Sequence, residues 1–292
     1  MKRIVALGFF DGVHLGHQAL LEACCRMAKD QGAIPCAITF GAHPQALFTA
    51  NPPKLINHEQ DRIRLMEQYG IEAVTVYPVT EAVMSMAWDT FLEELVARET
   101  AGFVCGSDFR FGCRGLGDSE KLKDFCRDRG LSCQIIDQQM LSGIRISSTH
   151  IRGLLEQGQV EQAAAFLGHP HVLSGTVQPG KQLGRTVGIP TANLSLPENV
   201  VCPKFGVYAC RARTQGKSYL AVTNVGMRPT VSGNTVTVEP WLLDFSGDLY
   251  GKELTLEFYS FLRPERKFES LEALAEEIRK NAAQTRKFFE KS

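Results

Sequence analysis

The sequence predicts an α/β domain with a parallel, doubly wound sheet, followed by a small antiparallel β-barrel that ends in a helix. Three observations predict it. Up to about Leu167, short apolar runs alternate with helical patterns, which is the signature of a sheet covered on both faces. Beyond a Gly-His-Pro-His segment at 168–171 the texture changes to short alternating runs punctuated by glycine and asparagine, as in a small barrel. The last stretch, 270–289, carries a long amphipathic pattern opened by Ser-x-Glu. The expected domains are therefore 1–168 and 169–292.

Each element follows from the same periodicities. Runs 4–7, 33–40, 73–79, 102–105 and 131–137 read as strands; 17–29, 58–69, 88–98 and 120–129 read as helices. Two further helical patterns, 149–156 and 160–166, close the first domain. In the second half, 206–213, 219–225, 235–243 and 253–261 read as strands, with Gln215-Gly216 and Gly233-Asn234 placed for hairpin turns.

The totals exclude several classes. Lysine plus arginine and aspartate plus glutamate are equal at 32 each, so nothing suggests a nucleic-acid groove or a surface for acidic membranes. The nine cysteines are scattered and no CxxC pair points to zinc or a dithiol centre, so reduced thiols in a cytoplasmic protein are expected. The opening MKRIVALGFFDG has two basic residues before an apolar stretch that stops at Asp11 without a cleavage-like site, and it reads as a strand rather than a signal peptide. No run approaches the ~20 apolar residues of a membrane span. Small-molecule substrates are the partners expected; the oligomeric state is not encoded in these patterns.

The most informative stretch is 8–17, GFFDGVHLGH, between the first strand and a helical pattern carrying Leu20, Leu21 and Met27. A strand-to-helix turn suits anions, because the first helical N–H groups lack partners and the helix dipole places partial positive charge there. Gly8, Gly12 and Gly16 let backbone approach a phosphate, and Asp11 lies in the same turn. His14 and His17, three apart, face one side of a helix start, where they can bind a phosphate and stabilise charge developing at phosphorus. Histidines so spaced also suit a metal or an exposed surface. Ser147, Ser148 and Thr149 are hydroxyl caps for another helix, with Arg152 one turn along toward a phosphate; a Ser-Ser-Thr run is equally an ordinary N-cap.

A second glycine-rich loop, GKQLGRTVGIPTAN at 180–193, can cradle phosphate through its amides, with Gly180, Gly184, Arg185, Gly188 and Pro190 in it. No GxxxxGK[ST] occurs, which removes a generic P-loop kinase. Thr191 and Asn193 alternate along an extended segment and point to one side, and hard oxygens beside a triphosphate are what magnesium prefers. The loop also reads as a plain turn.

These motifs carry a family resemblance. Segment 8–17 resembles the HxGH signature of nucleotidyltransferases in the form found in bacterial FAD synthetases, and ISSTHIR at 146–152 resembles their second nucleotide motif. Segment 180–193 is similar to the PTAN motif of riboflavin kinases. It is followed in family order by GVYA at 206–209, NVGMRPTV at 224–231, LLDFSGDLYGK at 242–252 and LRPERKFESLEAL at 262–274, while GAHPQALF at 41–48 and GSDFRFG at 106–112 match in the first half. The chain is identified as a member of the bifunctional riboflavin kinase/FMN adenylyltransferases. The resemblance implies a Rossmann-like nucleotidyltransferase domain followed by a riboflavin kinase barrel with a C-terminal helix. It implies the substrates riboflavin, FMN and ATP, with Mg2+. It implies that Thr191 and Asn193 bind the metal, that Glu239 takes a proton from the ribityl hydroxyl, and that His14, His17 and Arg152 act in adenylyl transfer. Pro44, Phe48 and Phe111 would flank the isoalloxazine ring, with Asp108 near the flavin or nucleotide and Arg263, a flavin-site residue, near the nucleotide or flavin phosphate. Taken singly, Glu239 is an ordinary strand glutamate, Arg263 a surface arginine and each phenylalanine plain core.

Three positions depart from the family pattern. Ala42 stands where proline is usual, which is expected to loosen the flavin loop. Pro240-Trp241 follow Glu239 in place of a smaller and then a polar residue, which is expected to shift the base; Trp241 points to the same face as Glu239 by strand alternation. Asn281 replaces a common aspartate. Competing readings keep one activity only, or make the chain a flavin-binding sensor or carrier; the retained histidines, Thr191, Asn193 and Glu239 argue against the latter.

Overall fold

Apolar, β-branched runs form the sheet of the first unit in this computed structural model, which describes residues 1–179, 188–230 and 233–291. Strands β1 (Arg3–Leu7), β2 (Ile34–Phe40), β3 (Ala73–Tyr77), β4 (Thr100–Gly106) and β5 (Ser132–Ile136) pair in parallel in the order β3-β2-β1-β4-β5. Both faces are buried, and the alternation along β1 shows why. Ile4 and Ala6 pack with Leu21 and Met66 on one face, whereas Val5 and Leu7 pack with Leu92, Phe103 and Leu122 on the other. The first face is covered by α1 (Leu15–Gln31) and α2 (Glu59–Gln68); the second by α4 (Trp88–Val96) and α5 (Ser119–Arg129), with the short α3 (Glu81–Met84) between α2 and α4 in sequence. The chain runs outward from β1 through β2 to β3 and then crosses back to place β4 on the other side of β1, so the strand order switches between β1 and β4. Ligands of open α/β sheets bind at the carboxyl ends of strands at such a point. A two-stranded hairpin, β6 (Met140–Leu141) and β7 (Ile144–Arg145), was not anticipated; strands of two residues carry no periodicity.

The second unit is built on β8 (His171–Thr176), β9 (Leu194–Ser195), β10 (Gly206–Thr214), β11 (Lys217–Thr230), β12 (Gly233–Leu242) and β13 (Glu253–Arg263), antiparallel in the order β8-β13-β10-β11-β12-β9. β8 and β9, at the two edges, lie close to each other, so the barrel is nearly closed. Helices α6 (Ser148–Glu156) and α7 (Val160–Leu167) precede it and α8 (Leu271–Phe289) follows it, its start capped by Ser270 Oγ accepting from the Ala273 amide at 3.2 Å.

The four long barrel strands fall where alternation placed them, and Gln215 (φ 50°) and Gly216 (φ 73°) make the expected tight turn. Gly233-Asn234 is different: the ladder pairs Thr230 with Gly233 and Pro229 with Asn234, so both residues stand in β12; residues 231–232 lie outside the described residues. β8 and β9 escaped notice because one follows a His-Pro break and the other is two residues long. The compact units are Met1–Leu55 with Glu59–Ser148, and Ile56–His58 with Thr149–Ser292. α6 and α7 thus group with the barrel rather than closing the sheet domain, because α7 packs on β13 and β8 and Glu161 accepts from the Phe261 amide at 3.2 Å.

Candidate functional sites

In the first unit the turn from β1 into α1 is tightly wound. Phe10 (φ 53°), Gly12 (φ 83°) and Val13 (φ 40°) all take left-handed backbone, which glycine adopts freely and the other two only under strain. His14 is the N-cap of α1 rather than part of it, its Nδ1 accepting from the His17 amide at 3.2 Å. The two imidazoles therefore stack, 3.6 Å between centroids and 9° from parallel, and face one side as the spacing predicts. A Cβ on Gly16 would lie 3.3 Å from the His14 ring, so this glycine permits the stack. Burial first, then the neighbouring His14 and Arg62, holds the His17 imidazole well below its ordinary pKa, so it is neutral at pH 7. Its Nδ1 is buried without a protein hydrogen-bond partner.

Asp11 is fully buried, and its carbonyl accepts from Ser148 Oγ at 2.9 Å, which ties the Ser-Ser-Thr motif to the first turn across 137 positions of sequence. Farther along α6, Arg152 Nη2 donates to Thr149 Oγ1 at 3.1 Å. Sequence reasoning missed Arg62 of α2, which is wholly buried beneath this turn. Asp61 and Arg64 flank it with charge, but its spacing from Leu65 and Met66 puts it on the apolar stripe.

The residues expected on the flavin side divide. Pro44 opens a 3-10 turn, Pro44–Leu47, capped by His43 Nδ1 accepting from the Gln45 amide at 3.2 Å, two residues after Ala42. Phe48 is exposed at 73 %, and Asp108 pairs with Arg145. Phe111 is 5 % exposed and packs in the core against Phe91, and half-buried Phe109 stacks on it at 5.9 Å. An FRF tripeptide gives no local signal as to which phenylalanine turns inward.

In the second unit a cleft of about 280 Å³ is lined by Thr191, Asn224, Glu239, Trp241, Arg263 and Asn281. A neighbouring cleft of about 300 Å³ is lined by Pro190, Leu242, Phe245, Asp248 and Tyr250, and Thr191 lines both. The extended 191–193 segment is pinned to β12 where the Ala192 amide donates to the Pro240 carbonyl at 2.9 Å. Proline at 240 removes a ladder donor but not this acceptor, and Glu239 still lines the cleft with Trp241, its Oε1 accepting from Thr237 Oγ1 at 3.2 Å. Asn281 is 2 % exposed; its Oδ1 accepts from Arg263 Nε at 3.1 Å, and Glu277 Oε1 lies 3.4 Å from the same nitrogen. An amide thus serves where aspartate is common, because Glu277 already supplies the charge. Gly180, Gly184 and Arg185 lie outside the described residues; Gly188 (φ 74°) and Pro190 lead into the cleft segment.

The donor set fits a hard cation beside phosphate. Asn193 Oδ1 is buried with no hydrogen-bond partner, an orphaned oxygen of the kind magnesium accepts. Among the described residues no group of three or more His, Cys, Asp or Glu could hold a metal, so such an ion would depend on substrate phosphates for most of its ligands. All nine cysteines are free thiols.

The comparisons agree with this division. A family model described as FAD synthetase matches residues 1–150, and one described as riboflavin kinase matches residues 167–289. The bifunctional riboflavin kinase/FMN adenylyltransferase of Listeria monocytogenes is 34 % identical, with 100 % of this chain and 94 % of that protein aligned. The protein of the same description from Bacillus subtilis is 33 % identical over 99 % of this chain and 93 % of that one. A crystal structure described as a macrolide-efflux protein from Streptococcus pneumoniae superposes with a TM-score of 0.86 at 28 % identity, covering 98 % of this chain and 94 % of that one. Among the described residues no helix is long and apolar enough to cross a membrane. With two family models tiling most of the sequence and relatives aligned along nearly their whole length, the chain belongs to the bifunctional riboflavin kinase/FMN adenylyltransferases.

Proposed function

We propose that residues 169–292 carry the kinase step and 1–168 the adenylyl transfer, with the roles below assigned to individual side chains. The enzyme phosphorylates riboflavin to FMN with ATP, then adenylylates FMN to FAD with release of pyrophosphate. The single observation that most supports the residue assignment is the bond from the Ala192 amide to the Pro240 carbonyl, which brings Thr191 and Glu239 to one cleft.

In the kinase step the ribityl hydroxyl attacks the γ-phosphorus of ATP, ADP leaves, and Glu239 takes the hydroxyl proton. Thr191 and Asn193 hold Mg2+, which when bound offsets charge on the triphosphate. Gly180, Gly184, Arg185, Gly188 and Pro190 bound the nucleotide, while Arg263, fixed by Asn281, sits near the nucleotide or flavin phosphate. Because phosphoryl transfer is loose, positioning supplies most of the catalysis and the base assists.

In the second step an FMN phosphate oxygen attacks the α-phosphorus of ATP and pyrophosphate departs. His14 and neutral His17 donate to the charge that develops there, with Arg152 as the cation. Gly8, Asp11, Gly12, Gly16, Ser147, Ser148 and Thr149 hold the nucleotide, and Pro44, Phe48 and Asp108 contact the flavin; Phe111 supports that side from the core. Nine free thiols support a reducing, cytoplasmic setting.

The test is to incubate the purified protein with riboflavin and Mg-ATP and to separate the flavins chromatographically over time. FMN should rise first and FAD follow with stoichiometric pyrophosphate. FMN that never proceeds to FAD would remove the second activity, and unchanged riboflavin would remove the first.

A further inference from the structure

The turn that holds His14 and His17 is strained at Phe10 and Val13, and such conformations persist only where the surroundings over-determine them. One end is braced within α1, where Gln18 Nε2 donates to the Val13 carbonyl at 2.8 Å. The other end is held from outside. Arg62 Nη1 donates to the Phe9 carbonyl at 3.0 Å and to Thr39 Oγ1 at 3.2 Å, and Thr39 Oγ1 itself donates to the Phe9 carbonyl at 2.7 Å. Arg62 Nη2 donates to the Phe40 carbonyl at 2.7 Å, immediately before the loop that carries Pro44 and Phe48. Its guanidinium also lies 5.1 Å from the centre of the Phe9 ring, which in turn meets His43 edge-on at 5.3 Å. One fully buried fork therefore joins the nucleotide turn to the flavin-side loop.

We propose that Arg62 is a positioning residue for adenylyl transfer, setting the strained turn and the flavin-side loop in register with each other. The inference rests on the assignment of this turn to that reaction. A buried arginine is costly to keep unless its donors are used and its charge is answered. Here both terminal nitrogens are used, while Nε is buried without a partner, and burial pulls the guanidinium pKa below its ordinary value against the smaller opposing effect of Asp11 and Glu59. The fork geometry matters as much as the charge, since two different carbonyls on two different loops are bridged by separate nitrogens, which a lysine ammonium on a single nitrogen reproduces poorly. The charge has a second consequence. His17 is faced by His14 from the cap, by Arg62 from α2 and by the ring of Phe10, and His14 and Arg62 both oppose its protonation.

The full-length chain carrying Arg62→Lys or Arg62→Met, with His14→Ala as a control, is assayed for FAD formation from supplied FMN and ATP, for FMN formation from riboflavin, and for Tm. In both Arg62 variants the KM values for ATP and for FMN should rise together, by about tenfold to a hundredfold, because both loops lose their common anchor. The acid limb of kcat/KM should stay in place in Arg62→Lys and move to higher pH in Arg62→Met, since only the latter removes a charge that opposes protonation of His17. FMN formation from riboflavin should match the parent in both. A merely structural role would lower Tm and active fraction without moving either KM or the acid limb. Parent KM values in the folded Lys variant overturn the proposal, including the case in which Arg62→Met fails to fold. Should His14→Ala leave FAD formation intact, the assignment of the turn fails first and the proposal falls with it.

Discussion

Asn224 stands directly across the ladder between β11 and β12 from Glu239, and its Nδ2 donates to Glu265 Oε1 at 3.3 Å. Two carboxylates thus share the kinase cleft, but they are held differently. Glu265 is engaged by Asn224 and lies over Gly226, where an added Cβ would strike its oxygen at 2.0 Å. Glu239 receives a hydroxyl from Thr237 on its own strand and stands beside the pinned 191–193 segment. The base of the reaction is therefore expected at Glu239.

Glu239→Gln keeps the shape and removes the basic oxygen, so single-turnover FMN formation should fall by roughly two to four powers of ten while riboflavin affinity, read from fluorescence quenching, stays near the parent value. A normal rate with weakened binding would show that Glu239 holds the ribityl chain without accepting its proton.

Replacing both His14 and His17 by alanine removes the stacked pair and the cap of α1. FAD formation from supplied FMN should drop by at least about a hundredfold, with FMN formation from riboflavin largely intact because the kinase belongs to the other unit. Near-parent FAD synthesis by the double variant would sink the assignment.

Asn193→Ala deletes the orphaned buried oxygen. At limiting magnesium, FMN formation should weaken steeply and recover in part as magnesium is raised, whereas FAD should still form from supplied FMN. Kinase activity with an unaltered magnesium dependence would rule out a metal role for this side chain.

His171 is fully buried in β8 against Phe258, both ring nitrogens lack partners, and burial, with a smaller effect from His169, pushes its pKa down to about 3. The unfolded chain binds a proton there near pH 6.5 and the folded chain does not. Stability from this group is therefore complete above about pH 6.5 and is lost at about 1.4 kcal/mol per pH unit as pH falls toward 3. His171→Phe should flatten the fall in Tm of the barrel between pH 7 and 5, and at pH 7 cost little, since the nitrogens it deletes were unsatisfied. Parallel pH slopes for parent and variant would exclude His171 as the source.

What the sequence by itself determined lies in its short-range patterns. Alternating apolar runs and helical periods placed all five parallel strands and the four long barrel strands, Gln215-Gly216 marked a true turn, and the three-residue spacing of His14 and His17 put both rings on one side. These are consequences of neighbours along the chain, where the side-chain period and the backbone preferences act over a few residues. The tertiary structure alone decided which distant groups meet. Ser148 reaches the Asp11 carbonyl, the Ala192 amide finds Pro240, Arg263 is fixed by Asn281, and Arg62 disappears beneath the β1–α1 turn. It also turned Phe111 into the core and moved α6 and α7 onto the barrel. Each of these depends on closing loops of tens of residues so that a buried donor meets the acceptor that can satisfy it, and that matching is set by the packed fold and not by any local period.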